Sequence, residues 1–144
     1  MHQRTAALLR DHGVKYISPL GEFGLQDGLA ILPFEWETVD AFYYMDTFAG
    51  IRESHGRPRE VLSPSEFREY LFRMLDQIVE TGGYISILFH PFLQLDEEKF
   101  AVLGEVLDRI RRDEDVWCAP CAEVARWIEE HPTDFGRGKI DIGD

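Results

Sequence analysis

Three stretches of the chain hold side chains able to do chemistry. The first is "ISILFHP", residues 85–91, which ends in His90 and Pro91. Carried by a strand of a parallel sheet, that histidine reaches the carboxyl edge, where α/β folds build their sites, and the proline stops the ladder there. An imidazole at that edge exchanges a proton near neutral pH and can serve as general acid or base. The bland alternative is a half-buried strand-end histidine bonded to a backbone carbonyl. The second stretch is "LPFEWETVDAF", residues 32–42, which brings Glu35, Trp36, Glu37 and Asp40 off the end of another short apolar run. If the two runs are neighbours, one of these carboxylates can face His90, favour its protonated form and fix its tautomer, as suits a general acid. The alternative here is a solvated acidic loop with a tryptophan packed beneath it.

The third stretch, "VWCAPC", places Cys118 and Cys121 in the wording of a thioredoxin active site. A strand at 115–119 followed by a helix from Pro120 reproduces the local geometry, and a helix N-terminus makes the first thiol more reactive. The redox fold, however, needs further strands, a helix and a cis-proline after that helix. The residues following Glu130 open with His131-Pro132 and leave them no room. The expected reading is therefore structural, with Cys118 buried in a strand and Cys121 a small residue in a helix's first turn; a thiol–disulfide oxidoreductase stays as a lesser alternative. Metal binding by this chain alone is poorly supported. The histidines fall at 2, 12, 55, 90 and 131, with no pair at helical spacing and no second CxxC.

The elements that must position these groups follow from composition and pattern. The chain has 144 residues, 44% hydrophobic, and carries a net charge of −12. That fits one soluble α/β domain, and the charge argues against nucleic acid and anionic membrane as partners. The longest uncharged run, Thr81 to Leu95, is shorter than the roughly 20 residues of a spanning helix. No signal peptide is visible, no asparagine is present for glycosylation, and two cysteines make no disulfide framework. A reducing cytoplasm is the expected compartment.

Four helices are predicted. "QRTAALLRDHG" stops at Gly13. "SPSEFREYLFRMLDQIVETGG" has Ser63 as N-cap, Pro64 at N1 and Glu66 at N3, with Phe67, Tyr70, Leu71, Met74, Leu75, Ile78 and Val79 on one face. A third starts near Asp96, with Phe100, Leu103, Val106, Leu107 and Ile110 expected as its buried stripe. The fourth is "PCAEVARWIEEH". Between them, apolar runs at 14–18, 29–34, 84–90 and 115–119 read as buried parallel strands. The stretch 34–62 is too apolar for a bare loop; "TVDAFYYMDTF" suits a short helix, and the segment is expected to fold over one end of the sheet. Residues 1–134 are read as one domain and 135–144 as a loose tail.

"GGYISILFHPFLQ", then "VLGEVLDRIRRDEDVWCAPCAEVARWI", resembles the C-terminal part of the polysaccharide deacetylases, the NodB-homology group of carbohydrate esterase family 4. His90, Pro91, Trp117, Glu123, Val124, Ala125 and Trp127 line up with that family's Leu-x-x-His-Pro strand, its Trp-containing strand and its last helix. Ile87 stands where the motif has leucine, so the position stays aliphatic. "RTAALLRDHGVKYIS" is similar to the family's helix and strand after its third motif, and "LPFEWETVDAF" to a Pro/Trp/Asp loop, so the likeness spans roughly residues 4–130.

The resemblance implies an α/β fold, a partial (β/α) barrel of about four mostly parallel strands with flanking helices. It implies hydrolysis of a non-peptide C–N bond in an acetylated sugar. His90 matches the late-strand acid, Asp40 or Glu35 the carboxylate that tunes it, and Trp36 a substrate-binding position. In a complete member a divalent, zinc-like metal polarises the acetamide and activates water. The Phe-Asp-Asp and His-x-x-x-His segments that would hold metal and base do not occur in these residues. On this reading the chain is the half of the barrel that follows its metal site and binds no cofactor alone. Half a barrel exposes a sheet edge and an apolar face, so the expected partner is a second copy or a complementing chain.

Overall fold

The computed structural model describes residues 2–136 and 138–140. The chain divides into two compact units, one built from Met1–Phe34 and Cys118–Asp144, the other from Glu35–Trp117.

In the first unit, helix α1 (His2–Asp11) ends as its glycine predicts. Gly13 takes φ 82°, and the N–H groups of Gly13 and Val14 return to the carbonyls of Arg10 and Leu9. This is the paired-bond C-cap that satisfies two orphan carbonyls. The turn drops Val14 beside Leu9 against a small core of Ala6, Leu29 and Ile31. Strands β1 (Tyr16–Ile17), β2 (Gly21–Glu22), β3 (Gly24–Gln26) and β4 (Leu29–Ile31) follow. As expected, the runs at 14–18 and 29–34 pair in parallel, Tyr16 against Ala30 and Ile17 against Ile31. β3 adds to the other edge of β4 in antiparallel register. The loop between them is Asp27-Gly28, both at positive φ (51° and 79°), as a two-residue hairpin turn requires. That dipeptide was a readable signal, and the parallel-strand reading passes over it. Helix α6 (Cys121–Glu130) is present as predicted and buries Ala125 and Ile128.

The stretch expected as a loose tail contributes β5 (Lys139–Ile140), antiparallel to β2. The approach is backbone to backbone. A Cβ built on Gly24 (φ 145°) would stand 2.2 Å from the Gly136 carbonyl oxygen, so glycine is needed at that position. Residues 141–144 lie outside the described residues.

In the second unit, helix α4 (Pro64–Thr81) carries its predicted cap in full. Ser63 Oγ accepts from the Glu66 N–H at 3.2 Å, and the Glu66 carboxylate accepts from the Ser63 N–H at 2.9 Å. Phe67, Tyr70, Leu71 and Leu75 are buried. The segment 34–62 is not a loop. It folds into turns at Trp36–Thr38 and Asp46–Phe48 with two short helices, α2 (Asp40–Tyr44) and α3 (Ala49–Ser54). Phe42 and Tyr43 from α2 join Phe67 and Leu71 in the unit's core. Helix α5 (Glu97–Arg112) begins at its predicted cap, Asp96, which accepts from the Lys99 N–H.

The buried stripe of α5 is a correction. Val102 and Val106 are buried, Leu103 and Ile110 are half-buried, and Phe100 and Leu107 are 63% and 56% exposed. Ion pairs Arg68–Glu105 and Arg109–Asp76 join α5 to α4 on this side.

Two expected strands also need correcting. Residues 84–90 make a single parallel bridge, Leu88 to Val39, rather than a strand. Ile85, Ile87 and Phe89 pack on the core while Leu88 points out, so the alternation of a strand is there without the ladder. Residues 115–119 form no strand, Trp117 is 57% exposed and Cys118 is exposed rather than buried. A ladder needs a second backbone, and among the described residues none pairs with 115–119. The fold is thus mixed helix and sheet with no closed barrel among the described residues, and its sheets are more antiparallel than expected.

Candidate functional site

Pro91 cannot donate to a ladder and opens a tight turn, Pro91–Leu93, with His90 at its N-cap. The Val39–Leu88 bridge fixes what lies opposite. Asp40 donates its N–H to the Leu88 carbonyl, and Leu88 donates to the Thr38 carbonyl, both at 3.1 Å. This sets Asp40, the first residue of α2, directly beside His90.

The Asp40 side chain is fully buried and accepts three hydrogen bonds. His90 Nδ1 lies 2.6 Å from Oδ1. The His90 backbone N–H donates to Oδ2 at 2.6 Å, and Gln94 Nε2 donates to the same oxygen at 2.7 Å. A buried carboxylate is tolerable when its oxygens are matched by donors in this way. The arrangement also fixes the histidine's chemistry. An ionised carboxylate only accepts, so Nδ1 carries the proton and Nε2 is the nitrogen left to exchange one. The His90 side chain is 31% exposed, so the ring is reachable from outside. The Phe92 ring lies 5.2 Å from the imidazole, tilted by 56°.

Of the two carboxylates that the sequence leaves open as partners of His90, the structure brings Asp40 to it. Glu35 is exposed and accepts a long 3.4 Å bond from the Tyr70 hydroxyl. Trp36 is half-buried, packed on the core with its ring 5.3 Å from Phe48. Glu37 pairs with Arg57 at 3.1 Å. Burial, followed by Glu37 and Glu35, pushes the Tyr70 phenol up to about 12. Burial, then Asp40 and Asp96, raises Tyr44 as well.

Two residues that sequence reasoning passes over support this region. Gln94 reaches Asp40 from four positions beyond His90, a spacing with no motif to announce it. Arg52 is fully buried, and its guanidinium bonds to the carbonyls of Phe42, Met45 and Arg59. It thereby ties the end of α2 to the chain after α3. An arginine in "GIRESHGRPRE" reads as surface charge, and nothing local marks it as buried.

Among the described residues no three His, Cys, Asp or Glu side chains converge as metal ligands. Asp40 already spends its oxygens on His90 and Gln94. The divalent metal that the resemblance implies does not fit the residues described here. Both cysteines are free and exposed, Cys121 as the first residue of α6.

No family model matches the chain, and no curated protein matches it in sequence. Among solved structures it is similar to a Mycobacterium smegmatis protein provisionally described as a polysaccharide deacetylase, with a TM-score of 0.72 and 24% identity. The match covers 100% of this chain and 50% of the other. At that identity the likeness is one of fold. The chain has a deacetylase-like fold over half the length of that protein.

Proposed function

We propose that this chain carries the acid side of a hydrolytic site for C–N amide bonds, of the polysaccharide deacetylase kind, with an N-acetylated sugar as substrate. The single observation behind this is the Asp40–His90 pair: a buried carboxylate on Nδ1, a half-exposed ring, and Nε2 left to exchange a proton. In amide hydrolysis water adds to the carbonyl carbon, and the C–N bond breaks only once the leaving nitrogen gains a proton. His90, protonated on Nε2, supplies that proton, and Asp40 stabilises the imidazolium that gives it. Acetate and a free amino sugar leave. Water activation and carbonyl polarisation come from groups outside these residues, and any metal is held there.

The test is acetate release from N-acetylglucosamine oligomers by the chain co-purified with the polypeptide encoded immediately upstream. Release that disappears in His90→Ala supports the acid role; equal release refutes it.

A second reading, a non-catalytic interaction module of the same fold, is favoured by the exposed Leu88, Phe92 and Leu95 around His90, apolar surface of the kind that meets a partner. A stable complex that releases no acetate from any N-acetylated sugar selects it. The thiol reading rests on two exposed cysteines and is removed if the chain shows no thiol–disulfide exchange.

A further inference from the structure

We propose that Gln94 is a positioning residue for the Asp40–His90 pair, its side-chain N–H holding the carboxylate in the orientation that keeps the imidazole proton on Nδ1. This rests on the acid reading of His90 for its purpose, though its test does not.

The argument begins from the glutamine's own hydrogen bonds. Nε2 donates to Asp40 Oδ2 at 2.7 Å and contacts the His90 carbonyl oxygen at 3.3 Å. Both partners are acceptors, so the amide nitrogen must face them. Turning the amide over would set Oε1 against a buried carboxylate, oxygen to oxygen. The opposite end of the group is poorly served: Oε1 is buried and accepts no hydrogen bond from the described residues. Leaving a buried acceptor unmatched is unfavourable. A glutamine kept for packing alone could be replaced by an apolar side chain without that cost. Its orientation, with Nε2 on the carboxylate and Oε1 unmatched, points to the Nε2–Asp40 contact as what the side chain contributes.

The geometry explains what the contact does. Asp40 holds His90 through both oxygens, Oδ1 to the ring and Oδ2 to the backbone N–H. That two-point grip survives only while the carboxylate plane stays put. Gln94 fixes the plane from Oδ2, and is itself held by the turn at Pro91–Leu93, where its N–H donates to the Pro91 carbonyl at 3.2 Å. One short turn therefore carries both the histidine and the clamp on its partner.

The experiment is nuclear magnetic resonance on the chain as it stands. In the native protein the Gln94 side-chain N–H protons are expected to exchange slowly and to be shifted away from those of Gln77, which is exposed; this needs no variant. In Gln94→Met, which keeps the volume and removes the donor, the low-field resonance of the His90 Nδ1 proton broadens or is lost while the backbone spectrum is otherwise preserved. Gln94 protons exchanging as freely as those of Gln77, or an Nδ1 resonance unchanged in position and width in Gln94→Met, overturns the proposal. If these signals behave as expected and no acetate is released in the hydrolysis assay, the positioning role stands and the hydrolase reading falls.

Discussion

Asp40 and His90 lie fifty positions apart and are joined twice, side chain to side chain and side chain to backbone, each at 2.6 Å. The double contact separates two roles that mutation can read independently. His90→Ala removes the proton donor and leaves Asp40 with its backbone N–H and Gln94 partners. Activity of the complete assembly is expected to fall by about 10²–10⁴, the usual worth of a general acid. Asp40→Asn instead turns an acceptor into an N–H facing donors inside the fold, and is expected to cost about 1–3 kcal/mol. Acetate release and urea unfolding of the two variants check the split; equal stability of Asp40→Asn and wild type contradicts it.

Arg52 is held by backbone carbonyls on both sides of α3. Arg52→Met leaves the carbonyls of Phe42, Met45 and Arg59 without these donors. Only the Phe42 carbonyl is buried at its bond; those of Met45 and Arg59 are partly open, and Met45 keeps the Phe48 N–H. At about 1–3 kcal/mol for a buried group left unmatched, the variant should lose about that much by urea denaturation. Arg52→Lys should recover only part of this, because one ammonium cannot span both sets of carbonyls.

The α4 cap carries a pH signature. Hydrogen bonds from the Ser63 N–H and hydroxyl hold the Glu66 carboxyl below the usual range. A folded-state value below the unfolded one stabilises the protein fully above the ordinary carboxyl range, and that contribution fades as pH falls through the lowered value. The stability difference between wild type and Glu66→Gln, measured by urea unfolding, should therefore be present at neutral pH and shrink on acidification below about pH 4. Ser63→Ala should cost about 1 kcal/mol at neutral pH.

Gly24 tests the seat of the C-terminal segment. A methyl group there would collide with the backbone at Gly136 and Gly138. Gly24→Ala should lift β5 from β2 and speed proteolytic cleavage after Phe135, while the α4 and α5 signals in hydrogen exchange stay at wild-type protection. Cleavage at the wild-type rate would show that the segment accommodates the methyl.

The sequence by itself determined the parts whose hydrogen bonds close within a few residues. The Ser63–Glu66 capping box, the Gly13 stop and the Asp96 cap are all where local pattern put them, because a helix satisfies its own backbone. It also marked His90 as the end of a segment halted by proline. Tertiary structure decided everything that needs a distant partner. It chose Asp40 over Glu35 for His90, buried Arg52, placed Gln94 on the carboxylate and brought residues 139–140 to β2. It also left 84–90 with one bridge and 115–119 with none. An apolar run announces that it can be buried. Whether it becomes a strand depends on a second backbone in register, and a short run carries no record of where that backbone will come from.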